Sequence, residues 1–126
     1  MLIMKRAIVS LSIALSPVVL LAQSSRIQRS EPVNLGQMGA GEGPAWGPDN
    51  TIYFSGPKGI LHRSADGQVK TFRDGSAGAN GLMFDREGRL VTCEASNRRI
   101  TRTEKNGTVT VLADRFEGKP FNSPND

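Results

Sequence analysis

The stretch Trp46–Tyr53 (WGPDNTIY) decides the fold, because it recurs 38 residues later as Phe84–Val91 (FDREGRLV). In both copies an aromatic residue is followed by turn-forming residues and then by apolar ones, the order of a tight turn leading into a strand. A second pair of segments, Ile60–Phe72 and Ile100–Leu112, repeats at a spacing of 40 residues, each with an Asp-Gly or Asn-Gly turn inside it. The sequence therefore predicts an all-β chain built from repeated units.

A repeat of this length, with several short strands in each unit, is typical of β-propeller blades. Each blade is a small twisted sheet that can bury its faces only against its neighbours. Residues 41–126 hold two such repeats and the start of a third, too few for a ring of about four to eight blades. We therefore expect residues 41–126 to be the first two blades and the beginning of the third blade of a truncated propeller. The alternative is a small two-sheet domain.

The N-terminus predicts an export signal. Lys5 and Arg6 precede Ala7–Ala22, a run of apolar and small polar residues without an ionisable side chain. This run is shorter than the roughly 20 residues that a membrane-spanning helix needs. We expect residues 1–22 to be a secretory signal peptide and residues 23–40 a linker, with no membrane anchor after cleavage and a secreted or periplasmic location. The alternative is a buried N-terminal helix.

Charge and cysteine content exclude some functions. The chain has 16 Lys and Arg against 12 Asp and Glu, but the basic residues lie among carboxylates, and we therefore expect no nucleic-acid partner. Cys93 is the single cysteine of the sequence and cannot form an internal disulfide, so we predict a buried thiol.

Several ring-bearing residues are predicted to have structural roles. Four aromatic residues are expected to pack between sheets: Trp46, Phe54, Phe72 and Phe84. His62 occupies the repeat position that Arg102 occupies in the second unit, which favours an exposed strand position over a catalytic base.

Each repeat places one side-chain oxygen before its first long strand. Glu42 precedes the first unit, Asn80 follows 38 residues later, and Asn125 opens the third unit. The first strand of a propeller blade lines the central channel, so these positions are predicted to converge at its mouth. Carboxylate and amide oxygens suit a hard cation such as Ca²⁺. The alternative is that Asn80-Gly81 and Asn125-Asp126 are ordinary turns.

The motifs around these residues also resemble those of a known family. The chain is similar to the gluconolactonase, regucalcin and senescence-marker-protein family in five segments: Gly41-Glu42-Gly43-Pro44, Asn80-Gly81-Leu82, Cys93-Glu94, Asn97-Arg98-Arg99 and Asn122-Ser123-Pro124-Asn125-Asp126. The resemblance covers about residues 41–126. It implies a six-bladed β-propeller of which this chain is an N-terminal fragment.

The resemblance also implies a function. Glu42 corresponds to a metal ligand and Asn125 to a substrate-binding residue, and we assign Asn80 to the substrate as well. The catalytic residues are expected downstream of Asp126. The implied activity is divalent-metal-dependent hydrolysis of a sugar lactone by the full-length protein, with Ca²⁺ preferred, Zn²⁺ or Mg²⁺ also compatible, and the fragment itself inactive. The alternatives are a non-catalytic calcium- or sugar-binding secreted propeller and a structural interaction propeller.

Overall fold

A computed structural model describes residues 30–126, of which Asn34–Asp126 form one compact unit. Sheet A contains β1 (Ala45–Trp46), β2 (Ile52–Ser55), β3 (Gly59–Arg63) and β4 (Val69–Asp74). Sheet B contains β5 (Ala79–Phe84), β6 (Leu90–Glu94), β7 (Arg99–Thr103) and β8 (Val109–Ala113). A small hairpin follows, made of β9 (Arg115–Phe116) and β10 (Lys119–Pro120).

The predicted signal peptide, residues 1–22, and residues 23–29 of the predicted linker lie outside the described residues. Residues 30–40 form no strand or helix. Within residues 30–126 there is no helix long and apolar enough to cross a membrane.

The two sheets are built alike, which confirms the predicted all-β repeat. Both are antiparallel, with their strands neighbouring one another in chain order. Ala45 pairs with Tyr53 in sheet A, and Met83 pairs with Val91 at the same place in sheet B. The register shifts between Ile60 and Leu61 in sheet A and between Ile100 and Thr101 in sheet B. The repeat therefore extends to an irregularity on the third strand of each sheet.

The turns that open the second strands also correspond. Asn50 has a φ of 62° and Gly88, at the same repeat position, has a φ of 73°. Asparagine tolerates this left-handed region better than most residues. Asp49 Oδ1 accepts hydrogen bonds from Thr51, and Asp85 Oδ1 accepts them from the backbone nitrogens of Glu87 and Arg89. These short-range bonds close the turns and set the strand register.

The hydrophobic core lies between the sheets. Tyr53, Ile60 and Leu90 are buried at its centre, and Ala79, Leu82 and Phe84 pack around them. The rings of Tyr53 and Phe84 meet edge to face with their centroids 4.9 Å apart. Such aromatic pairs add roughly 0.5–1.5 kcal/mol beyond the area that they bury. One face of sheet A therefore packs on β5 and β6 of sheet B.

The packing predictions for single residues have mixed outcomes. Burial of Cys93 is confirmed, as is the role of Phe84 between the sheets. Phe54 is 3% exposed, but it lies on the face of β2 opposite to Tyr53 and outside the core between the sheets. The prediction for Trp46 is wrong, because its side chain is 65% exposed. Trp46 pairs with Ile52, whereas Tyr53 is the residue that faces sheet B. Since successive strand residues point to opposite faces, Trp46 lies on the face of sheet A that does not pack on sheet B.

The remaining two predictions concern rings that contact Tyr53. Phe72 is 38% exposed, but its ring centroid lies 5.1 Å from that of Tyr53, so it borders the core. The predicted exposure of His62 is wrong. Its imidazole is half-buried, with its centroid 5.3 Å from the Tyr53 ring.

Candidate functional site

The three predicted site residues lie on three neighbouring chain segments in register with one another. Gly43, next to Glu42, has a φ of 59° and approaches Asn80 so closely that a methyl group would overlap the Asn80 carbonyl oxygen. Gly81, next to Asn80, approaches Asn125 in the same way, since a Cβ there would lie 2.6 Å from the Asn125 carbonyl oxygen. Glu42, Asn80 and Asn125 are therefore equivalent positions of successive segments, as the sequence spacing predicts.

The backbone of Glu42 is fixed by Ser55, which is only 4% exposed. Glu42 N donates to Ser55 Oγ at 2.7 Å, and Ser55 Oγ donates to the Glu42 carbonyl oxygen at 2.9 Å. Ser55 N donates to the same carbonyl oxygen, also at 2.9 Å. The hydroxyl thus holds both backbone groups of Glu42 against the end of β2.

Replacing Ser55 by alanine is expected to lower the free energy of unfolding by about 1–2 kcal/mol, because two hydrogen bonds to a part-buried backbone are lost. Chemical denaturation measures this loss. Ser64→Ala is the matched control, since the Ser64 hydroxyl bonds exposed groups, Asp66 Oδ1 and the Gln68 carbonyl oxygen. Equal losses in the two variants would contradict a special role for Ser55.

Asn80 lies where the pairing of β5 is irregular. Ala79 pairs with Glu94 and Leu82 with Thr92, and the register shifts in between. Irregularities of this kind re-aim side chains and are common beside functional sites. The Asn80 side-chain amide donates to Asn125 Oδ1, and Gly81 N donates to the Asn125 carbonyl oxygen at 2.5 Å. Asn80 and Asn125 are therefore in direct contact.

Glu42 and Asn80 also line one open pocket of about 350 Å³. Ser55 and Ala79 form part of its wall, together with the glycine-rich segment 39–41 and residues 56, 57 and 78. A larger apolar pocket of about 540 Å³ lies nearby, with Gly43, Gly81 and Asp126 in its lining. The sequence-predicted residues thus come together: Glu42 and Asn80 through the pocket, and Asn125 through its bond to Asn80.

The side-chain oxygens of Glu42, Asn80 and Asn125 fit part of a cation site. Glu42 is exposed and takes part in none of the salt bridges of the described residues. Its carboxylate and the amide oxygens of Asn80 and Asn125 are hard oxygen donors, the type that Ca²⁺ and Mg²⁺ prefer. Within residues 30–126, however, no group of three His, Cys, Asp or Glu side chains is placed to hold a metal ion. These residues therefore supply one carboxylate and two amides toward such a site.

Cys93 lies beside this region but is not activated. Burial raises the pKa of the Cys93 thiol, and the carboxylate of Asp126 adds to the effect. A raised pKa leaves little of the reactive thiolate at neutral pH.

Sequence reasoning missed a buried carboxylate that supports the site. Glu94 is 2% exposed and pairs with Ala79, the residue before Asn80. Four side chains donate to its carboxylate: Arg73 and Arg99 at 2.7 Å each, Thr101 at 2.9 Å and Asn97 at 3.0 Å. Burial alone would raise the pKa of Glu94, but the hydrogen bonds and the charge of Arg73 lower it below its ordinary value. Glu94 is therefore a charged anchor that joins β4 of sheet A to sheet B.

The Cys93-Glu94 and Asn97-Arg98-Arg99 segments were noticed in the sequence, but only as part of a family resemblance. Nothing in them indicates the partner on the other sheet, Arg73, which lies 21 residues away along the chain. Glu94 could be suspected only because it is a charged residue at the end of an otherwise uncharged strand.

Comparison with known proteins gives the class to which this fold and site belong. No protein-family model matches the chain, and no curated protein matches it. Among solved structures, the gluconolactonase of Xanthomonas campestris is 39% identical over 71% of this chain, with a TM-score of 0.67. A structural-genomics target provisionally named a gluconolactonase is 36% identical over 68% of this chain, with a TM-score of 0.62. The repeated antiparallel sheets thus match parts of propeller-like lactonases.

The chain belongs to the gluconolactonase family, which confirms the resemblance seen in the sequence. It spans about a third of the length of these relatives, 31% of each.

Proposed function

We propose that this chain forms part of a six-bladed β-propeller that hydrolyses a sugar lactone with the help of a divalent cation. The observation that carries the proposal is the 39% identity to the Xanthomonas campestris gluconolactonase, a protein described as important in glucose secondary metabolism. The placement of Glu42 and Asn80 in one pocket, with Asn125 bonded to Asn80, supports it.

The three residues have separate roles in this proposal. The Glu42 carboxylate binds the cation, and its backbone is oriented by Ser55. Asn80 and Asn125 bind the hydroxyl groups of the lactone, because their linked amides offer both donors and acceptors. When bound, a divalent cation acts as a Lewis acid on the lactone carbonyl and lowers the pKa of a bound water.

We further propose that residues 1–22 direct export, so that the site operates in a secreted or periplasmic protein. The charged start and the apolar run that follows support this proposal. Ca²⁺ is the preferred cation there, since extracellular modules use calcium sites of about 10⁻⁴–10⁻³ M affinity.

To test the proposal, hydrolysis of gluconolactone is measured with a protein that contains these residues and has the full length of the relatives. Chelator is expected to abolish hydrolysis, and added Ca²⁺ or Zn²⁺ is expected to restore it. Glu42→Gln is expected to weaken the apparent metal affinity by at least about tenfold, because even residues that only support a metal ligand contribute about 10–100-fold.

Glu31→Gln is the matched control. It removes the same charge from an exposed carboxylate in the segment before the site, and we expect metal affinity to stay unchanged. Hydrolysis that is insensitive to chelator would contradict the metal dependence. Metal binding without hydrolysis would instead favour the non-catalytic calcium- or sugar-binding propeller.

A further inference from the structure

The connection between β6 and β7, residues 95–98, contacts the segments that lead to two of the candidate site residues. Its first contact is with the segment before β5, the strand that carries Asn80. Two backbone nitrogens of the connection donate to carbonyl oxygens there: Ser96 to Ala77 at 3.0 Å and Ala95 to Gly78 at 3.2 Å. The connection therefore holds the chain where it enters the site at Asn80.

Arg98 makes the second contact, with the segment that leads to Asn125. Its Nε donates to the Phe121 carbonyl oxygen, and Phe121 lies four residues before Asn125. Phe121 N donates to the Asp114 carbonyl oxygen at 3.1 Å, so both backbone groups of Phe121 are bonded. The short stretch between Phe121 and Asn125 contains Pro124, whose ring restricts the backbone. A shift at Phe121 is therefore passed on to Asn125.

The matching connection in sheet A holds its outgoing segment in a different way. Lys58 occupies the repeat position of Arg98, and its carbonyl oxygen accepts a hydrogen bond from Gly75 N at 3.0 Å. That bond belongs to the backbone and does not depend on the Lys58 side chain. In both sheets, then, the connection between the second and third strands bonds the segment that leaves the sheet, and in sheet B the bond comes from a side chain.

The backbone of Arg98 is also unusual. Its φ is 55°, in the left-handed region that is unfavourable for residues with a side chain. Arg98 N donates to the Ala95 carbonyl oxygen at 3.2 Å and closes the turn in this conformation. Glycine would adopt the same turn without strain. Strained residues of this kind cluster at functional sites, which favours a role for the arginine side chain beyond forming the turn.

We propose that Arg98 is a positioning residue for the substrate site: through Phe121 it holds Asn125 in place. The inference rests on the proposed function, in which Asn80 and Asn125 bind the hydroxyl groups of the lactone. The Asn80 amide donates to Asn125 Oδ1, and Gly81 N donates to the Asn125 carbonyl oxygen at 2.5 Å. Both bonds require Asn125 at one fixed place, which the bond from Arg98 sets. Arg98 acts through the backbone and without contact to the lactone.

Arg98→Gln and Arg98→Met are the matched pair that tests this proposal. The amide nitrogen of glutamine lies as many bonds from Cα as the Nε of arginine, so glutamine keeps an N–H donor there and loses only the charge. Methionine has a side chain of similar length with no donor. Both residues carry the same backbone cost at a left-handed φ. Lys58→Met is the control, because it removes a cation at the repeat position and leaves the backbone bond to Gly75 intact.

The variants are made in a protein that contains these residues and has the full length of the relatives. For Arg98→Met we expect the KM for gluconolactone to rise about fivefold or more, the size of one lost hydrogen bond. We expect kcat to change by less than about twofold, since contacts that bind substrate and transition state equally affect KM alone. Arg98→Gln and Lys58→Met should keep the original KM. Metal affinity should stay unchanged throughout, because Ser55 holds Glu42.

Amide exchange examines the same contact without any lactone. In Arg98→Met we expect exchange at Gly81 N to become about fivefold faster or more, because its acceptor on Asn125 is no longer held. Exchange at Ser55 N, which donates to the Glu42 carbonyl oxygen, should stay as it was. A variant that only weakened the whole fold would speed exchange at both positions.

The proposal is overturned if Arg98→Gln raises KM as much as Arg98→Met does, since the charge of Arg98 would then act on the ligand directly. Unchanged exchange at Gly81 in Arg98→Met, or equal acceleration at Gly81 and Ser55, would overturn it as well. A full-length protein without lactone hydrolysis would instead contradict the proposed function, and exchange at Gly81 would then decide whether Arg98 holds Asn125.

Discussion

Replacement of Glu94 by glutamine is expected to lower the free energy of unfolding by about 3 kcal/mol or more, the usual result of breaking a buried ion pair from one side. The carboxylate is 2% exposed and accepts from four donors, two of which belong to arginines. Glutamine keeps the shape but loses the charge, so Arg73 and Arg99 keep their positive charges without a counter-charge. The amide nitrogen of the glutamine would also replace one of the two carboxylate oxygens, and it would point its hydrogens at a group that itself donates a hydrogen bond.

The effect on sheet packing follows from where the pair lies. Arg73 is on β4 of sheet A and its side chain is 10% exposed, so the bond to Glu94 spans the two sheets. Arg73 also donates to Thr103 Oγ1 at 2.9 Å. Loss of the carboxylate therefore weakens the contact between sheets as well as the start of β5 beside Asn80.

Urea unfolding of Glu94→Gln measures the loss, with Glu87→Gln as the matched control. Glu87 pairs with Arg89 at 2.9 Å, but its side chain is 66% exposed, and such surface pairs contribute less than about 1 kcal/mol. Equal losses in the two variants would show that burial of the Glu94 pair has no special effect.

Acid provides a second check on the same residue. The pKa of Glu94 in the folded chain lies below its ordinary value, which is about 4.3 in unfolded chains. Its contribution is therefore fully present above that ordinary value and is lost as the pH falls through the folded pKa. The difference in stability between the original chain and Glu94→Gln should shrink over this range. A difference that stays constant would mean that the carboxylate charge is not its source.

The features that could be predicted from sequence are those fixed over short distances along the chain. Turn residues such as Asn50 and Gly88 set the hairpins, and alternation of apolar residues set the faces. Because the two units share this local chemistry, the spacing of the repeats also predicted that Glu42, Asn80 and Asn125 hold equivalent positions. The structure shows this equivalence in the close approaches at Gly43 and Gly81.

What could not be predicted depends on which face of a sheet has a neighbour. Trp46 and Phe84 hold the same repeat position, yet one is exposed and the other packs against Tyr53, because only sheet B has a sheet on that side. The Arg73–Glu94 pair is likewise specific to one contact and has no counterpart at Ala113 and Gly56. A repeat pattern describes each unit, but it does not specify the contacts between units.

Replacement of Gly43 by alanine is expected to lower the free energy of unfolding by about 3 kcal/mol and to move Glu42 away from Asn80. Two costs combine. A left-handed backbone disfavours any side chain by roughly 1–2 kcal/mol, and Gly43 has a φ of 59°. In addition, the new methyl group would overlap the Asn80 carbonyl oxygen, a backbone atom that cannot turn aside, and forced overlaps cost typically about 1–3 kcal/mol.

Gly75→Ala separates these two costs. Gly75 has a nearly equal φ of 62°, but a Cβ there would have no neighbour within 4 Å. The decrease in the free energy of unfolding of Gly75→Ala, measured with urea, therefore gives the backbone cost alone. The additional decrease for Gly43→Ala gives the cost of the close approach to Asn80. If both variants lose the same stability, the segment before β1 is not held against Asn80. An excess at Gly43, accompanied by faster amide exchange at Ser55, whose nitrogen donates to the Glu42 carbonyl oxygen, would instead show that one glycine sets the distance between Glu42 and Asn80, because Gly43 follows Glu42 and lies against the Asn80 carbonyl oxygen.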